Sequence, residues 1–449
     1  MKEQNKVTIV GGGLAGSEAA YQLARRGHQV VLFEMRPRVT NDVHLGAGLA
    51  ELVCSNSFRS DDACHPAGLL KREMEVLGSL IMKCARGTAV LAGGALAVDR
   101  NLFSEAVTSQ IENHNLIELV RREVTAIPDE PAIIAAGPLC SKRLAEPLFH
   151  QLGHESLYFY DAIAPVIELD SLDLDVLFYQ SRYDKGTGSD YLNIPLSQEE
   201  YIQFHTELTQ AERVEQKKHE KLKFFEGCLP IEEMADRGRD TLRFGPMKPV
   251  GLTNPHTGKT PYAVIQLRQD DMAKTLWNMV GFQTRMKWGE QKRLFRSLPG
   301  MARARFTRYG MIHRNTYINS PLYLDETFKV KGSHALYVAG QISGVEGYLE
   351  SAASGLMAAL HLHRQLSNHK SIPFPEETAM GSLAKYISFK EHRSFQPTNV
   401  NFGIFPDLEK RMPKKMRRKH YVERSWRSFE AFLHKIEEEP SSTIPWPFN

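Results

Sequence analysis

The sequence predicts an α/β fold in which one nucleotide-binding unit is split in two by a mixed α/β insertion. Three observations carry this reading. Near the N-terminus a short apolar strand runs into a glycine loop and then a small-residue helix. Near residue 335 the same strand, glycine and helix order returns. Between these segments lies a long stretch without that pattern, richer in charged, helix-like runs such as "SQEEYIQFHTELTQAERVEQKKHEKLKFFEG".

The first unit is "KVTIVGGGLAGSEAAYQLARRGHQVVLFEMRP". Val7 to Val10 read as a buried strand, and a helix follows from about Ala15 to Arg26, closed by Gly27. The loop between them, Gly11, Gly12, Gly13, Leu14, Ala15 and Gly16, has the G-x-G-x-x-G spacing. Its glycines permit a tight turn, close approach of the backbone to a pyrophosphate, and tight helix–strand packing. The helix N-terminus offers unpaired N–H groups and partial positive charge to phosphate. "QVVLFE" is the next strand, and it ends in Glu34, 18 residues after Gly16, placed to accept from a ribose hydroxyl. The glycine spacing alone is weak evidence. Strand, loop, helix, strand and terminal acid in that order specify a dinucleotide site.

The second unit, "ALYVAGQISGVEGYLESAASGLMAALHLHRQL", places Gly340 after a strand and Glu346 just before a helix of small residues. Small residues let that helix approach a flat ring system, and such a segment near the C-terminal end of a Rossmann chain points to FAD. A third strand, "PAIIAAGP" from Pro131 to Pro138, ends in Gly-Pro beside the same site. The expectation is a Rossmann-type FAD-binding domain with a mixed α/β inserted domain. Its parts are residues 1–150 and 326–406 for the FAD domain, 151–325 for the insertion and 407–449 for a basic C-terminal tail.

Composition narrows the class. With 42% hydrophobic and 24% charged residues the chain is an ordinary globular protein. No stretch approaches the roughly 20 apolar residues of a membrane span, and no secretory signal is evident at the N-terminus. Five cysteines, at 54, 64, 84, 140 and 228, form no C-x-x-C pair. That disfavours a disulfide framework or zinc ribbon and fits a reducing cytoplasm; no metal site is expected. A net charge of +3 leaves nucleic-acid binding to local patches. The densest is Glu409 to Arg427, with nine Lys/Arg against two Glu. "EQKKHEKLK" and "RMKWGEQKRLFR" are two more, and Trp426 is a candidate to stack on a base.

The blocks "AELVCSNSFRSD", "AGGALAVDR", "LYFYDAIAPV", "FFEGCLPIEEMADRG", "LRFGPMKPVGL", "RYGMIHRNTYINSP", "AGQISGVEGYLESAASG" and "FQPTNVNFGIFP" resemble the TrmFO family, the folate- and FAD-dependent tRNA (uracil-5-)-methyltransferases. The likeness runs over about residues 5–406. It implies transfer of a methylene group from 5,10-methylenetetrahydrofolate to C5 of a T-loop uridine in tRNA. FADH2 is the reductant, NADPH or NADH renews it, and no obligate protein partner is inferred. Two positions depart from the family pattern: Ile194, where a cysteine is usual, and Ala92, where a proline is. These leave open a paralogue acting on ribosomal RNA.

Uracil C5 is a weak nucleophile, so this chemistry needs a thiolate to add at C6 and a base to remove the C5 proton. A free thiol is only a few per cent ionised at neutral pH and must be activated. The resemblance assigns Cys228 as the nucleophile and Cys54 as the base beside the flavin. It also assigns His313, Arg314 and Asn315 to the folate, and Glu346 to flavin or pterin. Cys64, Cys84 and Cys140 are expected to be packing residues. Three rivals remain. A flavin-linked thiol or disulfide reductase would need two cysteines together at the ring. A larger FAD-dependent tRNA-modifying relative works with a GTPase but carries an extra helical domain. The third is a non-catalytic FAD-bound RNA-binding protein.

Overall fold

The computed structural model describes residues 6–152, 156–214, 224–392, 394–408 and 413–436. Val7–Val10 lies at the centre of a five-stranded sheet in the order Leu336–Val338, Ala132–Ile134, Val7–Val10, Val30–Glu34, Ile117–Arg121. All its pairings are parallel. The strands are short apolar runs because such a sheet is covered on both faces; Val7, Ile9, Ile133 and Val338 are wholly buried. The late segment thus returns to the early sheet, as the repeated motif predicts.

Helices Leu14–Ala24 and Tyr348–Leu366 cross in close contact over this sheet. Their small residues make the approach possible. A Cβ on Gly355 would sit 2.1 Å from the Ala15 carbonyl oxygen, and one on Gly16 would sit 1.8 Å from that of Gly11. The crossing therefore holds the glycine loop rigidly at the C-terminal end of the central strand, where open α/β sheets bind ligands.

The insertion has its own apolar cluster, from Ile167 to Ala304, around an antiparallel six-stranded sheet. Helix Gln198–Gln210, started by a Ser197–Glu200 capping box, lays Tyr201, Phe204 and Leu208 on this cluster. The charged run expected to be helical beyond it stops being helix at Ala211, and its lysine-rich part, 215–223, lies outside the described residues. A two-stranded ribbon, Ser156–Ala162 against Ile312–Ile318, adds Phe159 and Tyr317 to the apolar cluster of the parallel sheet. Its register sets His313 opposite Asp161.

The C-terminal segment corrects an expectation. Lys414–Ile436 is a helix that inserts Val422, Trp426, Phe429 and Phe432 into the apolar cluster of the parallel sheet. Trp426 is only 5% exposed and lies 5.9 Å, centroid to centroid, from Phe429, so it cannot stack on an RNA base. Arg417, Arg418 and Lys419 do face solvent, as an amphipathic helix requires. Lys410 lies outside the described residues. In "RMKWGEQKRLFR" most cations are already committed: Arg285 pairs with Glu233, Lys287 with Glu212, and Arg293 with Glu207 and Glu290.

Candidate active site

A cavity of about 510 Å3 opens at the C-terminal ends of the parallel strands, roofed by the insertion. The glycine loop forms its floor at Gly11, Gly13, Leu14 and Ala15, joined by Glu34 and Gly340. The helix N-terminus here carries no side-chain cap, and a Cβ at Gly13 would meet open space. Both features fit a cradle for phosphate. Gly12 and Gly16 stand behind this surface; the Gly12 N–H donates to Glu34 Oε2 at 2.9 Å. Glu34 Oε1 accepts from the Arg36 backbone and guanidinium, both at 2.9 Å. Burial opposes ionisation of Glu34, but Arg36 and these N–H groups outweigh it and hold its pKa below the usual carboxylate value. It is therefore an anionic acceptor suited to a ribose.

Cys54 enters from the segment after Leu52. The Arg100 guanidinium donates to the Leu52 and Cys54 carbonyls at 2.9 and 3.0 Å and is ion-paired with Asp270. Tyr348 accepts from the Cys54 N–H at 2.6 Å. The polar residues after Cys54 have a structural use. Arg268, from the insertion, donates to Ser55 Oγ at 2.8 Å and Asn56 Oδ1 at 2.9 Å. They fasten the cysteine loop to the second sheet.

Cys54 and Cys228 line the same cavity although 174 positions separate them. Cys228 arrives on a single helical turn, Glu226–Cys228. The two meet at Asp161. Cys54 Sγ donates to Asp161 Oδ2 at 3.4 Å, and Cys228 also interacts with that carboxylate. Burial pushes both thiols well above their ordinary pKa, and the Asp161 charge adds to the rise. The resemblance assigns both cysteines to one site; the ribbon, not the local chain, makes the encounter. Asp161 was missed in "LYFYDAIAPV", where a lone acid among apolar residues was the available signal.

His313 and Asn315 project from the ribbon into the cavity. His313 Nε2 stands 3.9 Å from Asp161 Oδ2. Burial lowers its pKa against the pull of Asp161, which leaves a neutral ring. Its Nδ1, and both ends of the Asn315 amide, are buried without a hydrogen-bond partner among the described residues. Orphaned polar groups of this kind are rare, and they mark where a polar ligand belongs. Glu346 accepts from Gln341; burial, then Asp161, push its pKa well up. Arg314 departs from the expected set. Strand alternation turns it away from its neighbours, and it lies exposed with its guanidinium 4.1 Å from the Tyr158 ring centroid.

Of the cysteines expected to be packing residues, Cys84 is buried in the core, whereas Cys140 lines the cavity, its pKa pushed to about 11 by burial. Ile194 and Ala92 line no part of the cavity. Ile194 is buried in the insertion's apolar cluster, and the Ala92 carbonyl accepts from Tyr191, on the strand that holds Ile194. Both departures are thus packing changes in and against one sheet.

A family model described as glucose inhibited division protein A matches residues 6–370. The methylenetetrahydrofolate–tRNA-(uracil-5-)-methyltransferase TrmFO of Geobacter sulfurreducens is 54% identical over 431 residues, 96% of this chain and 99% of that protein. The protein of the same name from Natranaerobius thermophilus is 52% identical over the same shares. Among solved structures, GidA of Aquifex aeolicus superposes with a TM-score of 0.69 at 15% identity, covering 96% of this chain and 75% of that one; this likeness speaks to the fold. The chain therefore belongs to the glucose inhibited division protein A family and, within it, to the TrmFO methyltransferases.

Proposed function

We propose that this chain methylates C5 of a uridine in the T-loop of tRNA, with 5,10-methylenetetrahydrofolate as carbon donor. The observation that carries the proposal is the convergence of Cys54 and Cys228 on Asp161 beside the glycine loop. The cradle at Gly13, the acceptor Glu34 and the narrow helix crossing fit FAD. Bound FAD, reduced by NADPH or NADH, supplies the hydride that completes the methyl group.

The protein's own residues do the rest. The Cys228 thiol passes its proton to Asp161 and its sulfur adds to C6 of the uracil. C5, made nucleophilic, bonds to the methylene carbon of the folate. Asp161, having handed that proton to the folate nitrogen from which the methylene carbon first parts, accepts the Cys54 proton, and the Cys54 thiolate takes the proton from C5. The bond from the methylene carbon to the remaining folate nitrogen then breaks, that nitrogen taking the proton from Asp161, and leaves an exocyclic methylene at C5 with Cys228 still on C6; once a hydride has reached the methylene, the Cys228–C6 bond breaks and the uracil ring is restored. Both thiols are reluctant to ionise in the closed cavity, so reaction waits until substrate alters the surroundings of Asp161. The unpaired Asn315 amide and His313 suit the polar edge and face of a pterin. The target base must leave its stack to enter, at a cost of a few kcal/mol. Such a substrate puts the enzyme's work in the cytoplasm.

The decisive experiment is transfer of labelled carbon from methylenetetrahydrofolate to an unmodified tRNA transcript by the FAD-loaded protein, with mass-spectrometric mapping of 5-methyluridine in tRNA and ribosomal RNA. Label in ribosomal RNA alone would favour the paralogue reading. The shared position of Cys54 and Cys228 also suits a dithiol reductase; NADPH-driven reduction of a test disulfide without RNA methylation would favour it.

A further inference from the structure

The basic run from Arg285 to Arg296 lines no part of the catalytic cavity, and the ion pairs above occupy most of its cations. Its tryptophan stands apart. Trp288, in the first turn of helix Trp288–Arg296, is 62% exposed, whereas so large an aromatic ring is ordinarily well buried. It caps a staircase of rings. Trp288 stacks on Tyr309 at 5.8 Å between centroids and 19° between planes. Tyr309 stacks on Phe306 at 5.2 Å and 26°, and Phe306 rests on the wholly buried Phe295. One face of the indole is thus held from below, which leaves the other to solvent. Lys292 lies one turn on, beside Trp288 at the margin of the buried stripe Gln291, Leu294 and Phe295. It is exposed and makes no ion pair among the described residues.

The staircase stands at the foot of the ribbon that carries the site. Arg308, next to Tyr309, is close enough for its charge to act on both Cys54 and His313. Two residues after Tyr309 the Met311 carbonyl accepts from the Ile163 N–H at 2.8 Å, and the ribbon with His313 begins. The Tyr309 and His313 backbones are therefore at most about 14 Å apart. An RNA strand whose uridine occupies the cavity reaches the indole within a few nucleotides. We propose that the open face of Trp288 is a platform on which an unpaired base of the RNA stacks, a few nucleotides from the target uridine, while Lys292 holds the phosphate beside it. The proposal rests on the RNA-methylating reading above and deepens it. Stacking on an aromatic face accepts any base, so this contact anchors the strand without reading its sequence and offsets part of the cost of extruding the uridine. The exposed neighbours of the ring, Lys287, Gly289 and Lys292, give no apolar patch of the kind a protein partner needs.

The test uses the FAD-loaded full chain and an unmodified tRNA transcript. Trp288→Ala should weaken binding about tenfold and leave its salt dependence as it is, because stacking releases no counterions. Lys292→Gln should weaken binding less and flatten the salt dependence by about one slope unit. Trp288→Phe, which keeps a ring, should restore most of the affinity, yet lose the part of the tryptophan fluorescence that RNA quenches in the wild type. Retained flavin absorbance and an unchanged melting temperature show that each variant is folded. A wild type that methylates the transcript, with a folded Trp288→Ala of unchanged affinity, overturns the platform alone. Equal quenching of wild type and Trp288→Phe by RNA overturns it as well. So does a Trp288→Ala protein that keeps its RNA affinity but sediments differently, which would make the ring a contact between copies of the chain. A wild type that neither binds nor methylates RNA overturns the functional reading with it.

Discussion

The Cys54 thiol and the Asp161 carboxylate are joined by a 3.4 Å hydrogen bond in which sulfur is the donor. The carboxylate thereby keeps a proton on the thiol rather than removing it. Its charge raises both Cys54 and Cys228, on top of burial. Asp161→Asn should therefore move the pH midpoint for alkylation of both cysteines by iodoacetamide downward. Burial should still hold it above that of a free thiol. The same change removes the proton acceptor and should lower methylation by about 10²-fold or more. An unmoved alkylation midpoint would show that Asp161 does not govern the thiols.

Cys228 and Cys54 act at different steps and should separate in a trapping experiment. With 5-fluorouridine RNA the fluorine cannot leave as a proton, so the sulfur–C6 bond persists. Cys228→Ala should lose this adduct on a denaturing gel. Cys54→Ala should still attach to RNA yet make no 5-methyluridine. An adduct that survives in the first variant assigns the nucleophile elsewhere.

Two glycines of one loop should fail in different ways. A Cβ on Gly13 meets nothing within 4 Å, because that side faces the cavity. Gly13→Val should give a folded protein that no longer holds FAD. A Cβ on Gly16 would lie 1.8 Å from the Gly11 carbonyl oxygen. Gly16→Val should thus distort the loop and lower the melting temperature, as read by circular dichroism, together with the loss of flavin absorbance. Equal melting temperatures for the two variants would contradict the close packing of Gly16 on the Gly11 carbonyl.

Local order in the chain explains what was legible. The strand at Val7–Val10, the glycine loop, Glu34 and the return at Leu336–Val338 each follow from contiguous patterns, and they appear as expected. Cys54, Cys228, His313, Asn315 and Glu346 line one cavity. What depends on pairing across long separations was not legible. Asp161 meets Cys54 only through the ribbon register, and Arg268 reaches Ser55 from another sheet. Arg314 shows the complementary failure: sequence neighbours on a strand point to opposite faces, so adjacency to His313 was misleading. The C-terminal run was read by its charge, whereas its apolar positions 422, 426, 429 and 433 carry the helical spacing that buries it.

That buried helix makes the last prediction, which concerns stability and pH. Ser425 of the helix donates to Glu73 at 3.1 Å, and Glu73 also accepts from the Ala379 and Met380 N–H groups, both at 2.8 Å. Burial dominates these bonds and raises the Glu73 pKa to about 7, from an ordinary value of 4.5. Between those values the folded state keeps a proton that the unfolded state has lost. Stability from this group is therefore full below about pH 4.5 and declines as pH rises to 7, by roughly 3 kcal/mol. Glu73→Gln, uncharged throughout, should lack that decline. In urea unfolding, the variant's stability relative to wild type should improve from pH 5 to pH 8. Trp426→Ala, which empties buried apolar space under the same helix, should cost about 3–5 kcal/mol at either pH, and removing everything after Asp407 should be more severe still. Parallel pH profiles for wild type and Glu73→Gln, or a truncated chain as stable as the whole, would mean that the helix does not dock on Glu73 in solution.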